Sequence, residues 1–192
     1  FSGNTFLLDC EIVGASTILC EGWNYTGYPA ASYGLTGLNT NFTGSIVVSQ
    51  LEYREEYISF NKHHPTLHLY DGRNLGGRKD LFDPRALTLT HMARLSVTNG
   101  THVTLAEDLN RGVYILEKGR FYITGEGVLD VKWPVLLSGT MWKEGDGTLI
   151  LAGDMRHEDS DGGVGTEMHE NKERKYVLRR LTPTECARLQ GF

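Results

Sequence analysis

Residue types able to do chemistry are scattered along this chain, and their spacing rarely selects a reaction. His64 and His68 are four apart, with His63 adjacent, which on a helix would place two imidazoles on one face for a metal ion. Pro65 and the alternating Leu67 and Leu69 write a strand or turn instead, and no cysteine or carboxylate cluster completes a ligand set. The reading is exposed histidine. Asp159, Asp161 and Glu167 lie in an acidic, Gly-rich stretch and are weak calcium candidates. A solvated linker is the favoured reading there. Asp108, Glu126 and Asp130 are carboxylates that a carbohydrate-cleaving pair would need, but no spacing selects two of them. Cys10 and Cys20 are close enough in sequence to bridge, which would leave Cys186 over; free buried thiols are common and are the favoured reading. Asn24, Asn41 and Asn99 head Asn-x-Thr sequons, read as chance in a Thr-rich chain. Trp23, Trp133, Trp142 and the nine tyrosines do not cluster, so they are assigned to core or corner packing rather than a carbohydrate platform. Lys172, Arg174, Lys175, Arg179 and Arg180 form a basic run, read as a solvated face. No catalytic residue, cofactor or metal is assigned.

The elements that would position such residues are written more clearly. Apolar pairs two residues apart occur at Leu87/Leu89, Leu95/Val97, Val103/Leu105, Val113/Ile115, Phe121/Ile123, Leu129/Val131 and Leu149/Leu151. A period of two buries one face of each segment and wets the other. Shifting Leu87, Leu95 and Val103 along the chain by one constant step gives Val113, Phe121 and Leu129. Two successive three-strand coils of a parallel β-helix repeat in this way. An antiparallel meander or sandwich spaces strands similarly, and the repeated register favours the solenoid. Earlier apolar runs stand at Phe6-Leu7-Leu8, Thr17-Ile18-Leu19 and Ile46-Val47-Val48, between turn signals. Leu51 to Ile58 reads as an edge strand.

The whole chain has 192 residues, 40% hydrophobic and 22% charged, which fits one globular domain rather than a disordered one. The net charge of −5 argues against a general nucleic-acid binder. No segment approaches the length of a membrane-spanning helix. The missing initial Met and the abrupt ending fit a piece of something larger. The division expected is a β-solenoid over 1–153, an acidic linker over 154–171 and a helical fragment over 172–192. In the last, Thr182 caps, Pro183 opens and Glu185 completes a capping box.

Two segments resemble known families. Ser138-Gly139-Thr140-Met141-Trp142-Lys143-Glu144-Gly145-Asp146-Gly147-Thr148-Leu149-Ile150-Leu151-Ala152-Gly153 is similar to a repeat of bacterial autotransporter passenger regions. Asn110-Arg111-Gly112-Val113, Leu75-Gly76-Gly77 and Gly37 to Gly44 have the same flavour, extending the resemblance over about 37–153. It implies an all-β, right-handed parallel β-helix, exported and displayed at a cell surface as a stalk, adhesin or scaffold, with no shared catalytic residues. The glycines would mark corners needing positive φ. The stretch Tyr176 to Phe192, with Leu181-Thr182-Pro183-Thr184-Glu185-Cys186-Ala187-Arg188-Leu189 at its centre, resembles a late motif of DNA cytosine-5 methyltransferases. That family also needs a Gly-rich cofactor loop and a Pro-Cys nucleophile motif, both absent here. Cys186 does not stand at the family's catalytic position. Gly162 to Met168 resembles a single copy of the calcium-binding β-roll nonapeptide, and such ions are shared between stacked copies.

The expectation is therefore a non-enzymatic, exported bacterial surface scaffold or adhesin fragment, extracellular, without cofactor. Its partner would be a surface or carbohydrate ligand, and its open solenoid ends would self-associate. The alternative is a catalytically incomplete cytoplasmic methyltransferase fragment touching nucleic acid through Arg179, Arg180 and Arg188.

Overall fold

A computed structural model of the chain describes residues 5–23, 31–51, 64–157 and 176–179. They form a parallel β-solenoid of about 5 turns with almost no helix. Sheet I stacks β1 (Thr5–Leu8), β3 (Ser32–Leu35), β5 (Thr66–Leu69), β7 (Arg94–Val97), β10 (Arg120–Ile123) and β13 (Trp142–Glu144). Sheet III stacks β2 (Ile18–Trp23), β4 (Ile46–Leu51), β6 (Asp83–Leu89), β9 (Arg111–Glu117), β12 (Val135–Gly139) and β15 (Met155–His157). Sheet II begins later, with β8 (His102–Leu105), β11 (Val128–Val131) and β14 (Thr148–Leu151), and is closed by β16 (Tyr176–Arg179).

The repeat read from the sequence is realised in all three sheets. Leu87 pairs with Val113, Leu95 with Phe121, and Val103 with Leu129. Alternate residues of each strand point inward and lie on their equivalents in the next coil. Leu67, Leu95 and Phe121 make one inward file, Leu69, Val97 and Ile123 another, and Leu105, Val131 and Leu151 a third. All nine are fully buried in one continuous core. Each such side chain contributes roughly 1.5–3 kcal/mol through removal from water. Because the files are shared between coils, the core holds only while several coils stack.

Corners are fixed by close approach more than by backbone handedness. In the Ser138 to Gly153 repeat only Gly145 has positive φ, at +78°, and a Cβ there would sit 2.0 Å from the Ile123 carbonyl oxygen. Gly153 is needed for space alone, since its Cβ would meet the Trp133 oxygen at 2.1 Å. The expectation of positive φ at the repeat glycines thus holds at Gly145 and is replaced at Gly153 by packing of one coil on the next.

Buried amides tie the early coils together. Asn39 donates from Nδ2 to the Asn74 oxygen at 2.6 Å and accepts from Ile12 N at 2.8 Å. Asn74 donates to the Gly37 oxygen and accepts from Tyr70 N and Asp71 N. The corner Gly37 to Gly44, singled out in the sequence, is where this ladder starts.

The C-terminal part differs in detail from the expected division. β15 pairs with β12 and carries the solenoid to His157, beyond Gly153. In the tail, Tyr176–Arg179 is a strand antiparallel to β14, so this piece is an edge of sheet II. The helix expected around Thr182 to Leu189 lies outside the described residues, as do Glu52 to Ile58; Leu51 ends β4.

Candidate functional site

A cleft lies beside the segment that leads into β6. Leu75 anchors that segment in the core. Lys79 N donates to the Leu109 oxygen at 3.0 Å, Asp83 N to the Asn110 oxygen at 3.0 Å, and Asn110 Nδ2 back to the Lys79 oxygen at 2.8 Å. Both ends of the loop from Lys79 to Asp83 are therefore pinned to the next coil. Its base is a polar cluster: Lys79 Nζ pairs with Asp83 Oδ2 and donates to Ser45 Oγ at 3.1 Å, while Ser45 Oγ donates to Asp83 Oδ2 at 2.9 Å. Burial would raise the Asp83 carboxyl. The bonds from Lys79, the Arg85 amide and Ser45 outweigh it and hold the group below the usual carboxylate value.

On this fixed base the tip turns its apolar side chains into water. Leu81 is 82% exposed and Phe82 52%. With Thr43, Asp80 and Pro84 they line an open cleft of about 430 Å³. The arrangement offers an aromatic face and an aliphatic knob, flanked by the Asp80 carboxylate and the Thr43 hydroxyl. It suits binding, since its lysine and one aspartate are already committed to each other. Sequence reasoning passed over this loop. The available signal was Asp80-Leu81-Phe82-Asp83-Pro84, an adjacent apolar pair that breaks the period of two between turn residues.

The predicted candidates are not brought together. Asp159, Asp161 and Glu167 lie outside the described residues, as do Arg180 and Arg188, while Arg179 ends β16. Asp108 sits in the 3-10 turn Glu107–Leu109, Glu126 in the turn before β11, and Asp130 on β11. In register with Asp130 stand Thr104 and Ile150, so neighbouring coils offer it no carboxylate partner there.

The histidines correct the expectation of exposure. His64 is only 3% exposed and His68 is half-buried, because they lead into and lie within β5, a central strand of sheet I. Burial lowers the His68 pKa below 6.5. His63 lies outside the described residues. Among the described residues, no group of three or more His, Cys, Asp or Glu is placed to hold a metal ion.

Cys10 and Cys20 are both free, the first exposed and the second buried. Burial pushes the Cys20 thiol up to about 12, so it is inert packing. Trp133 is a core residue whose Nε1 donates to the Ala106 oxygen at 2.8 Å. Trp142 departs from the packing expectation by being exposed, with the Arg120 guanidinium 5.0 Å from its ring centroid. Asn41 is exposed and bonded to Glu11; Asn99 accepts from Glu126 N; Asn24 lies outside the described residues.

The solenoid also contains a buried cation that sequence reasoning left without a role. Arg111 is 1% exposed. Its guanidinium donates to the oxygens of Gly77 at 2.6 Å, Phe42 at 2.7 Å and Gly44 at 3.1 Å. Phe42 and Trp133 rings flank it. Burial pushes its pKa down to about 10, with Asp83 opposing the shift. The group stays charged at neutral pH and staples two corners, at Phe42 to Gly44 and at Gly77, behind the exposed loop.

No protein-family model, no curated protein and no solved structure matches this chain.

Proposed function

We propose that the protein is a non-enzymatic surface scaffold of adhesin type, whose solenoid carries a recognition loop at Lys79 to Pro84. The observation that carries this reading is the exposure of Leu81 and Phe82 on a loop held rigid at both ends. Apolar side chains kept in water by a fixed backbone lose little entropy on binding, which is how recognition surfaces gain affinity. The ligand class is a surface carbohydrate. Its apolar ring face stacks on Phe82 and its hydroxyls bond to Asp80 and Thr43. The resemblance of 37–153 to autotransporter passenger repeats supports export and display outside the cell. The methyltransferase-like tail has a strand of the solenoid as its described part, which favours the scaffold over the cytoplasmic alternative.

The test is retention on an array of cell-surface polysaccharides, comparing the chain with its Leu81→Ser/Phe82→Ser variant. The expected result is a retained glycan whose binding falls at least tenfold in the variant. Retention of none, or equal binding by both, overturns the reading. Incubation with S-adenosylmethionine and DNA should give no methyl transfer, and turnover would overturn the non-enzymatic reading.

A further inference from the structure

We propose that the cleft lined by Thr43 and by Lys79 to Pro84 selects amino sugars, taking a protonated hexosamine whose ammonium group faces Asp80 and whose ring lies on Phe82. This selectivity rests on the carbohydrate reading of the loop and adds to it the charge of the ligand.

Charges in the lining do not cancel. Lys79 is the single cation among the residues that line the cleft, and its ammonium group is committed to Asp83 and Ser45. Asp83 is committed in turn to Lys79, Ser45 and the Arg85 amide, bonds that keep it ionised at neutral pH. Among the described residues, none pairs with the Asp80 carboxylate. Arg78 is exposed and outside the lining. The Arg85 guanidinium lies 4.4 Å from the centroid of the Tyr114 ring on sheet III, also outside it. The cleft therefore presents one uncompensated negative charge beside the exposed Phe82 ring.

Three kinds of sugar meet this lining differently. An acidic sugar brings its carboxylate against Asp80 and Asp83, and like charges oppose its approach. A neutral sugar stacks on Phe82 and bonds to the Thr43 hydroxyl but leaves the Asp80 charge to water. A protonated amine adds an attraction to the carboxylate and a second to the aromatic face. The cleft is open to solvent, so the gain is a few-fold in affinity rather than orders of magnitude. Because both ends of the loop are pinned to the next coil, Asp80 and Phe82 are positioned before the ligand arrives.

Isothermal titration calorimetry of the whole chain tests this at about pH 6, where a sugar amine is protonated. The probes are tetrasaccharides of glucosamine, N-acetylglucosamine and galacturonate. Glucosamine should bind about threefold or more tighter than its acetylated form, with galacturonate the weakest of the three. Added salt should narrow that preference. So should raising the pH to about 9, where the amine is neutral, an arm that needs no variant. Asp80→Asn should bring the ratio close to one; the side chain is exposed, so circular dichroism should show the fold intact. Equal or tighter binding of the acetylated sugar, tightest binding of galacturonate, or a preference undiminished in Asp80→Asn overturns the proposal. The wider carbohydrate reading survives those results if the polysaccharide array still retains a glycan through Leu81 and Phe82. Binding of none of the three tetrasaccharides also overturns the proposal, and an array that retains nothing overturns both.

Discussion

Replacing Arg111 by Met tests whether the buried guanidinium holds the corners behind the exposed loop. The side chain makes three hydrogen bonds to main-chain oxygens at 2.6, 2.7 and 3.1 Å. Bonds from a charged donor contribute about 2 kcal/mol each, so roughly 6 kcal/mol is at stake. Met relieves the desolvation that pushes the Arg111 pKa from 12.5 down to about 10. A shift of that size offsets roughly 3 kcal/mol. The expected net loss is about 3 kcal/mol, since three buried carbonyls are left without donors. Urea unfolding followed by circular dichroism measures it as a lower midpoint at unchanged slope. Arg111→Lys should recover only a minor part, because one ammonium cannot serve three carbonyls arrayed around a planar fork. A loss below about 1 kcal/mol in the Met variant would refute the reasoning, by showing that the carbonyls find other partners.

Gly145→Ala should cost about 3 kcal/mol or more, from left-handed strain and a Cβ 2.0 Å from the Ile123 oxygen, read by the same unfolding assay. Native iodoacetamide labelling followed by peptide mass spectrometry should modify Cys10 and leave Cys20 untouched. His68 binds its proton less readily folded than unfolded, so its contribution is complete above pH 6.5 and is lost as pH falls through the lowered folded value. His68→Asn should therefore flatten the decline in stability on the acid side of 6.5.

Much of the fold was legible because the middle coils repeat at one constant step. Leu87, Leu95 and Val103 each find their partners at the same distance along the chain, in Val113, Phe121 and Leu129. Earlier coils hid their register because corner segments vary in length: Leu67 reaches its partner Leu95 in a short step, whereas Ile46 reaches Leu87 only after a much longer one. A period of two locates strands but says nothing about such insertions. The candidate loop was missed for a related reason. Leu81 and Phe82 look like ordinary core residues until the pairing of β6 shows that neither belongs to a file. Arg111 was illegible because its partners are backbone oxygens up to 69 residues away, which leave no trace in side-chain types. His64 was misread because proline beside histidine suggests a surface turn, whereas Pro65 here leads into a central strand.

The account depends on coils lying over one another in parallel register. Nuclear Overhauser contacts between backbone protons in an isotopically labelled sample test that directly. Parallel-strand patterns are expected at Leu87/Val113, Leu95/Phe121 and Val103/Leu129, one pair in each of the three sheets. Close Hα–Hα contacts of antiparallel neighbours at these strands, or pairing between segments adjacent in sequence, would contradict it.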